Sequence, residues 1–310
     1  MIFKRLRYYS IVAILLVALV LGFVFGGAAA SSSSNVQPDL PEEVIPTPPT
    51  DTGDEEEDGG NTETLPVFKN AYSLWEYSYN IFANGAGCYA IMSGQADAAI
   101  GTQYMYAIFK RNGKVSDYAN NLEISYKKGT SSFLDSSCRI VYTNADGISK
   151  RSNTKNYVWQ ESYVIEEEPE TYTYTDKFAN GERDAHDFLL DVSPSTTTLV
   201  YFDRLSYDSY YEFKVVMDQD AIPSNYYNPV TSSPYVDSVP QNSINISITF
   251  RISKVNGHLL SYTLDETFEV VPAGILGVVG NQHAHNYLTY TFYEMDKAQD
   301  IEDPFAAFGY

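Results

Sequence analysis

The spacing of aromatic residues after the first 65 positions predicts an amphipathic helix. Aromatic side chains recur at alternating steps of four and three residues, which places them on one stripe of a helix. Asn84 followed by Gly85 predicts the end of this helix. The stripe consists of Phe68, Tyr72, Trp75, Tyr79 and Phe82. Because so aromatic a surface is unfavourable in water, we expect the helix to lie on a broad apolar surface.

After the helix, the pattern changes to runs of β-branched and aromatic residues separated by turn residues, which predicts strands. Val255-Asn256-Gly257 is typical of a tight hairpin turn. We expect a mainly β (α+β) fold, in which a curved antiparallel sheet of about 10–12 strands wraps around the N-terminal helix. The predicted strands are 88–99, 102–111, 120–127, 133–143, 157–165, 171–175, 188–191, 196–202, 210–217, 244–254, 258–271 and 287–294.

Two segments of this region do not fit the strand pattern. Residues 220–240 contain four prolines and predict a long loop that covers one end of the sheet. The tail at 297–310 contains Phe305 and Phe308. We expect these two rings to pack back onto the domain, because large apolar side chains are more stable out of water.

The N-terminal pattern predicts export. Three basic residues precede an apolar run that starts at residue 11 and is extended by alanines to Ala30. Such a run is long enough to cross a bilayer, and the basic flank predicts a cytoplasmic N-terminus. One interpretation is a single-pass cell-membrane anchor at residues 11–30; the other is a signal peptide that is cleaved near Ala30, with secretion of the rest. Both place the remaining chain outside the cytoplasm.

Residues 31–64 form a disordered linker in this interpretation. They contain five prolines, ten acidic residues and no basic residue, so they cannot bury enough apolar area to offset the loss of chain entropy. The chain is therefore divided into a membrane segment (1–30), an acidic linker (31–64), a β-rich extracytoplasmic domain (65–296) and a C-terminal tail (297–310). This order is typical of bacterial cell-envelope proteins.

Charge and composition limit the classes of partner. The net charge of −20 argues against nucleic acid, which requires a basic surface. The chain has 27 tyrosines, which pack well on sheets and keep a polar tip in water. The tyrosines fit sheet faces in general, and also a surface that binds sugars or peptides.

The order of elements resembles the LolA/LppX-like lipoprotein-carrier fold. One aromatic helix is followed by many meandering strands, and residues 246–270 look like the paired strands of such exported proteins. The resemblance implies a curved sheet that encloses an apolar cavity for an acyl chain. It carries over no site residue and no cofactor. The sequence departs from the pattern because it lacks a lipid-attachment cysteine after the apolar run.

Residues with metal or redox chemistry are few. His283 and His285 would share one face if they lay in a strand, which suits a metal site if a carboxylate converges on them. Solvent-facing loop histidines are the alternative, and the one that we favour. Cys88 and Cys138 either pair in an oxidising exterior or remain as separate buried thiols. We identify no catalytic residue.

Three functions remain open. The first is a non-enzymatic domain that binds a lipid or other amphiphile in a cavity lined by the aromatic stripe from Phe68 to Phe82. The second is an adhesion or envelope-scaffold module that binds glycan or peptide through exposed tyrosines or a free sheet edge. The third, a hydrolase, would need a cleft with converging carboxylates or histidines.

Overall fold

The structure of the protein is a computed structural model. The described residues are 65–117, 119–131, 137–154, 165, 168–173, 190–203, 209–223, 226–227, 230, 235–274 and 280–310. The apolar run, the acidic linker and almost all of the predicted strand 157–165 lie outside these ranges. Within the ranges, no helix combines the length and the apolar character needed to cross a membrane.

The predicted helix is present as α1, Ala71–Asn84. Asn70 caps its N-terminus, because the Asn70 Oδ1 accepts a hydrogen bond of 2.9 Å from the Ser73 backbone N–H. At the other end, the Gly85 N–H donates to the Ile81 carbonyl, which satisfies one of the last free acceptors of the helix. The predicted end at Asn84 and Gly85 is thus confirmed.

In the part of the chain that the structure describes, twelve strands form one large, open antiparallel sheet, which confirms the mainly β class. Their bounds are β1 Gly87–Ala98, β2 Gly101–Asn112, β3 Asn121–Gly129, β4 Ser137–Thr143, β5 Ile148–Thr154, β6 Glu170–Thr173, β7 Thr197–Asp203, β8 Tyr210–Met217, β9 Val236–Ser238, β10 Asn245–Ser253, β11 Leu259–Pro272 and β12 Gln282–Met295. The hairpin predicted at Asn256-Gly257 joins β10 to β11.

The strand order differs from a single meander. Along the sheet the order is β6-β5-β4-β3-β2-β1-β12-β11-β10-β8-β7, and β9 pairs with β11 beside this path. The first and last strands are therefore neighbours in the middle, where Met92 lies opposite Tyr290. Each half of the sheet is a meander of its own, and β6 and β7 are the two end strands.

Several strand predictions need correction. Strand β5 falls in a polar stretch that the pattern did not indicate, and β9 lies inside the predicted loop 220–240. Strand β12 begins at Gln282, five residues before its predicted start. Residues 190 and 191, at the end of the predicted strand 188–191, are not in a strand. Polar or proline-rich strands are missed because tertiary pairing, not propensity, holds them in place.

The two faces of the sheet differ in composition. We call the face that α1 covers the inner face. Along β10, the even-numbered residues from Ile246 to Ile252 are buried there, while Arg251 is exposed on the outer face. This alternation is what a strand with one buried face requires. The inner face and α1 together hold the main apolar core.

The C-terminal tail covers part of the outer face, as the sequence predicts for Phe305. Its ring is fully buried against Ile140 and Ile165 in a second apolar cluster. The tail is also held by an ion pair of 2.9 Å between Lys150 Nζ and Asp303 Oδ2. Phe308, in contrast, is 38% exposed, so only one of the two predicted tail anchors is buried.

Cys88 and Cys138 are both buried, and neither is in a disulfide. Cys88 lies on β1 and Cys138 on β4, three strands apart. Neighbouring strands are separated by about 4.8 Å, so the two backbones are too far apart for a disulfide. Of the two alternatives, the structure shows separate buried thiols.

Candidate functional site: the inner face of the sheet

The aromatic stripe of α1 lies against the sheet. Trp75 and Phe82 are buried, and so is Phe68, which precedes the first turn. Tyr72 and Tyr79 are half-buried. The Tyr72 hydroxyl is held by the start of β7, because it donates to the Thr197 carbonyl oxygen at 3.2 Å and accepts from the Thr197 hydroxyl at 3.0 Å.

Ring contacts fix the position of the helix across several strands. The Trp75 ring lies 4.3 Å from the Phe250 ring of β10, centroid to centroid. The Phe82 ring meets the Phe292 ring of β12 edge-on at 5.6 Å. Such tilted and edge-to-face pairs add to the free energy gained from apolar burial. Trp75 and Phe82 therefore serve the packing of α1 on the sheet, whereas Tyr79 is only half-buried.

A buried arginine forms a hydrogen bond with the C-terminal end of α1. Arg111 on β2 is 1% exposed. One guanidinium nitrogen donates to the Phe82 carbonyl oxygen, another donates to the Gly113 carbonyl at 2.8 Å, and the group lies 4.9 Å from the centre of the Phe82 ring. A cation is favourable at a helix C-terminus, where the backbone carbonyls carry partial negative charge.

Beyond α1, the inner face continues as an apolar strip that is only half-buried. We call Met92, Ala96, Met105, Ala284 and Tyr290 the inner strip. They lie on the three central strands β2, β1 and β12, and four of them pack against the edge of the main core. Half-exposed methionines are adaptable contact surfaces for apolar ligands.

Aromatic stacking forms the floor beside this strip. The Tyr290 ring stacks on the Tyr262 ring of β11 at 4.4 Å with an angle of 15° between the planes. On its other side, Tyr290 stacks with Phe109 of β2 at 6.0 Å. These contacts connect the strip to the rings under α1 through a pair between Tyr262 and Phe250 at 6.2 Å.

Gly94 keeps the strip open in the middle. A β-carbon at this position would collide with the Tyr287 carbonyl oxygen and the Leu288 backbone of β12. Glycine is therefore required by the close approach of β1 to β12. Because it has no side chain, nothing on β1 separates Met92 from Ala96 on the inner face.

A buried carboxylate lies next to the strip. Glu266 on β11 is fully buried and accepts hydrogen bonds from the Tyr226 hydroxyl and from Asn286 Nδ2 at 2.9 Å. Tyr226 belongs to the segment between β8 and β9, so this contact ties that segment to the sheet. Nothing in the sequence pairs Glu266 with Tyr226, which lies 40 residues away.

The candidate metal ligands lie on the opposite face, and His283 and His285 are in β12 rather than in a loop. His285 Nε2 is 2.8 Å from Asp265 Oδ1, and His283 Nδ1 is 3.9 Å from Glu269 Oε1. Among the described residues, no group of three or more metal-ligating side chains converges. The His285 contact is a hydrogen bond between neighbouring strands, and the His283 contact is too long for one.

Cys88 and His258 have shifted pKa values. Burial raises the pKa of the Cys88 thiol, and the nearby Arg111 charge opposes that shift. A buried thiol with a raised pKa is a poor nucleophile. Burial lowers the pKa of His258, which lies at the β10–β11 turn, and Asp296 opposes that shift.

The comparisons with known proteins give no family. No family model matches the chain, and no curated protein matches it in sequence. The functional argument therefore depends on the residues of this chain alone.

Proposed function

We propose that the protein is a membrane-anchored, extracytoplasmic domain that binds a lipid or another amphiphilic ligand on the inner face of its sheet, without catalysing a reaction. The observation that supports this proposal most is the inner strip, whose apolar side chains are only partly buried although they adjoin a packed core. Single exposed apolar residues are common, but a continuous strip on three adjacent strands is typical of a binding surface.

In this proposal the sheet curves around α1, as in the LolA/LppX-like carriers, and the ligand lies beside the helix. The acyl chain of the ligand would contact the inner strip, which includes the Tyr290 ring, and Tyr79. Each methylene that leaves water contributes about 0.8 kcal/mol, so about ten methylenes would give useful affinity after the costs of association.

A basic side chain at the edge of the strip suits an anionic head group. Lys127 on β3 lies opposite Met105 on β2 in the sheet register, and it is exposed. An ammonium group there would attract a carboxylate or phosphate while the acyl chain lies along the central strands. A fatty acid or an anionic phospholipid is therefore the ligand class that we propose.

Membrane anchoring belongs to the same proposal. The apolar run at residues 11–30 would hold the chain in the cytoplasmic membrane, and the acidic linker 31–64 would give the domain reach from the surface. Cleavage near Ala30 would instead release a secreted carrier with the same binding face.

The experiment compares two neighbouring positions that face opposite sides of the sheet. Met92 belongs to the inner strip, whereas Ser93 is exposed on the outer face. We expect the full chain, purified in mild detergent, to bind the fluorescent fatty acid parinaric acid saturably. Met92→Asp should weaken binding by about tenfold or more, because a carboxylate would then lie against the acyl chain. Ser93→Asp should leave binding unchanged.

Equal effects of Met92→Asp and Ser93→Asp, or no saturable binding by the unchanged chain, would contradict the proposal. Urea unfolding of both variants shows whether they are folded. If Met92→Asp does not fold, Ala96→Phe replaces it, because a larger apolar side chain fills the strip without adding charge. It should lower the number of fatty acids bound.

A further inference from the structure

The outer face of the four neighbouring strands β11, β12, β1 and β2 carries a polar and aromatic surface that the proposed lipid site does not use. In the sheet register, Asp265 on β11, Tyr287 on β12, Gln95 on β1 and Tyr104 on β2 form one row across the sheet. His285 and Asp97 face each other in the next row. We call these six residues the outer platform.

The ring of Tyr287 is the most accessible part of the platform. It is 48% exposed, and its nearest ring is that of His285, which meets it edge-on at 6.4 Å. An aromatic ring that stands on a rigid strand loses little conformational freedom when a ligand stacks on it. Tyr287 therefore provides a preformed stacking surface.

The polar side chains around this ring are held by one another. His285 Nε2 and Asp265 Oδ1 are 2.8 Å apart, and because a carboxylate only accepts, Nε2 carries the proton. On the other side of the ring, Gln95 Nε2 donates to Asp97 Oδ2 at 2.7 Å and the Thr102 hydroxyl donates to Asp97 Oδ1 at 2.5 Å. These contacts fix the orientation of the polar groups before a ligand arrives.

We propose that the outer platform binds a neutral, linear glycan. The apolar C–H face of a sugar ring stacks on tyrosine, and adjacent sugar hydroxyls pair with planar carboxylate, amide and imidazole groups beside it. Carboxylates in particular form strong hydrogen bonds with hydroxyl donors. This is the arrangement of Tyr287 between Asp265 and Gln95.

The charge of the surface determines which glycans fit. The acidic residues at the outward positions of β1, β11 and β12 are Asp97, Asp265, Glu269 and Glu294, and no lysine or arginine occurs on those three strands. In the register, Lys128 on β3 lies opposite Tyr104, so the acidic part of the platform is the part around Tyr287. Uronic acids, sialic acids and phosphorylated sugars would be repelled by these carboxylates. Neutral hexoses and N-acetylhexosamines would not.

The spacing of the tyrosines suggests more than one sugar unit. Tyr287 and Tyr104 are in the same row, two strands apart, which corresponds to about 9.5 Å. That distance is close to the length of a disaccharide repeat in an extended glycan. A linear chain that runs across the strands can therefore contact both rings.

Titration calorimetry of the full chain in mild detergent tests the proposal. The probes are cellohexaose, chitohexaose and xylohexaose, which are neutral, and hexagalacturonate, which is anionic. We expect at least one neutral hexasaccharide to bind and hexagalacturonate not to bind. Tyr287→Ala should weaken the binding by about tenfold or more, because it removes the stacking ring.

Tyr293→Ala is the matched control. Tyr293 is also on β12 and 39% exposed, but it lies six residues beyond the row. It should change the affinity by less than about twofold. Three results would overturn the proposal: no neutral hexasaccharide binds, the two tyrosine variants weaken binding equally, or hexagalacturonate binds as well as the neutral sugars. Binding of an alternating lysine–glycine peptide through Tyr287 in place of the sugars would assign the platform to peptides.

The outcome is separate from that of the lipid test. The outer platform and the inner strip lie on opposite faces of the sheet, so Tyr287→Ala should leave parinaric acid binding unchanged. Met92→Asp should equally leave the binding of the hexasaccharide unchanged.

Discussion

Buried polar residues hold the ends of the elements in place. Arg111 on β2 donates a hydrogen bond to the Phe82 carbonyl oxygen in the last turn of α1. Glu266 on β11 accepts a hydrogen bond from the Tyr226 hydroxyl, which belongs to the segment before β9. A buried charge is costly unless it is hydrogen-bonded. Both residues meet that condition, and both connect parts of the chain that are distant in sequence.

His258 gives the residue-scale prediction. Because burial lowers its folded-state pKa, the unfolded chain takes up a proton first as the pH falls through the ordinary histidine range. The contribution of neutral His258 to stability is therefore present above the unfolded pKa and is lost as the pH falls towards the folded one. Between about pH 7.5 and about pH 5.5, the free energy of unfolding should fall more for the unchanged chain than for His258→Gln.

Urea unfolding at several pH values measures this difference. If the curves for the unchanged chain and for His258→Gln run parallel, His258 titrates at the same pH in the folded and unfolded chains, and the prediction fails.

Residue-scale chemistry was only partly visible in the sequence. Four of the five aromatic residues, Tyr72, Trp75, Tyr79 and Phe82, could be assigned to one helix because helical spacing brings them together. Phe68 was assigned to the same helix wrongly, because Asn70 caps the helix after it and the helix begins at Ala71. The contact of Tyr226 with Glu266 could not be predicted, because 40 residues separate the partners and no local pattern links them. The same holds for the row from Asp265 to Tyr104, which depends on the register of four strands.

At the scale of elements, the C-terminal tail packs onto the domain through Phe305, as its sequence predicts. Phe305 is 0% exposed, whereas Phe308 is 38% exposed. Phe305→Ala should lower the free energy of unfolding by about 3–5 kcal/mol, because it empties a filled site in the second apolar cluster. Phe308→Ala removes the same side chain three residues later and should change stability by less than about 1 kcal/mol.

Urea unfolding checks this prediction. The midpoint should fall for Phe305→Ala, while the slope of the unfolding free energy against urea concentration stays constant. Equal losses from the two substitutions would mean that the tail is not anchored on the outer face through Phe305.

Elements with strong local patterns were predicted well, and those without them were not. Helix α1 has a cap, an aromatic stripe and a stop signal, and strands such as β8 and β11 alternate regularly. Strand β5 is polar on both faces, and its pairing with β4 is what makes it a strand. Strand β12 starts early because its polar first half, with His283 and His285, pairs with β11.

At the scale of the whole molecule, the pairing of β1 with β12 determines what each face can do. The sequence predicts an antiparallel meander, but it does not indicate that the first and last strands meet in the middle. That pairing brings Met92 beside Tyr290 on the inner face and Gln95 beside Tyr287 on the outer face. Both proposed sites therefore depend on the same long-range contact.

The central claim is that an amphiphile binds on the inner face beside α1, and photo-crosslinking tests it most directly. A fatty acid with a diazirine group near the end of its chain is bound to the full protein and activated by light, and the labelled peptides are identified by mass spectrometry. We predict adducts on the inner strip, at or next to Met92, Met105 and Tyr290. Labels confined to residues 11–30 or to the outer face would contradict the account.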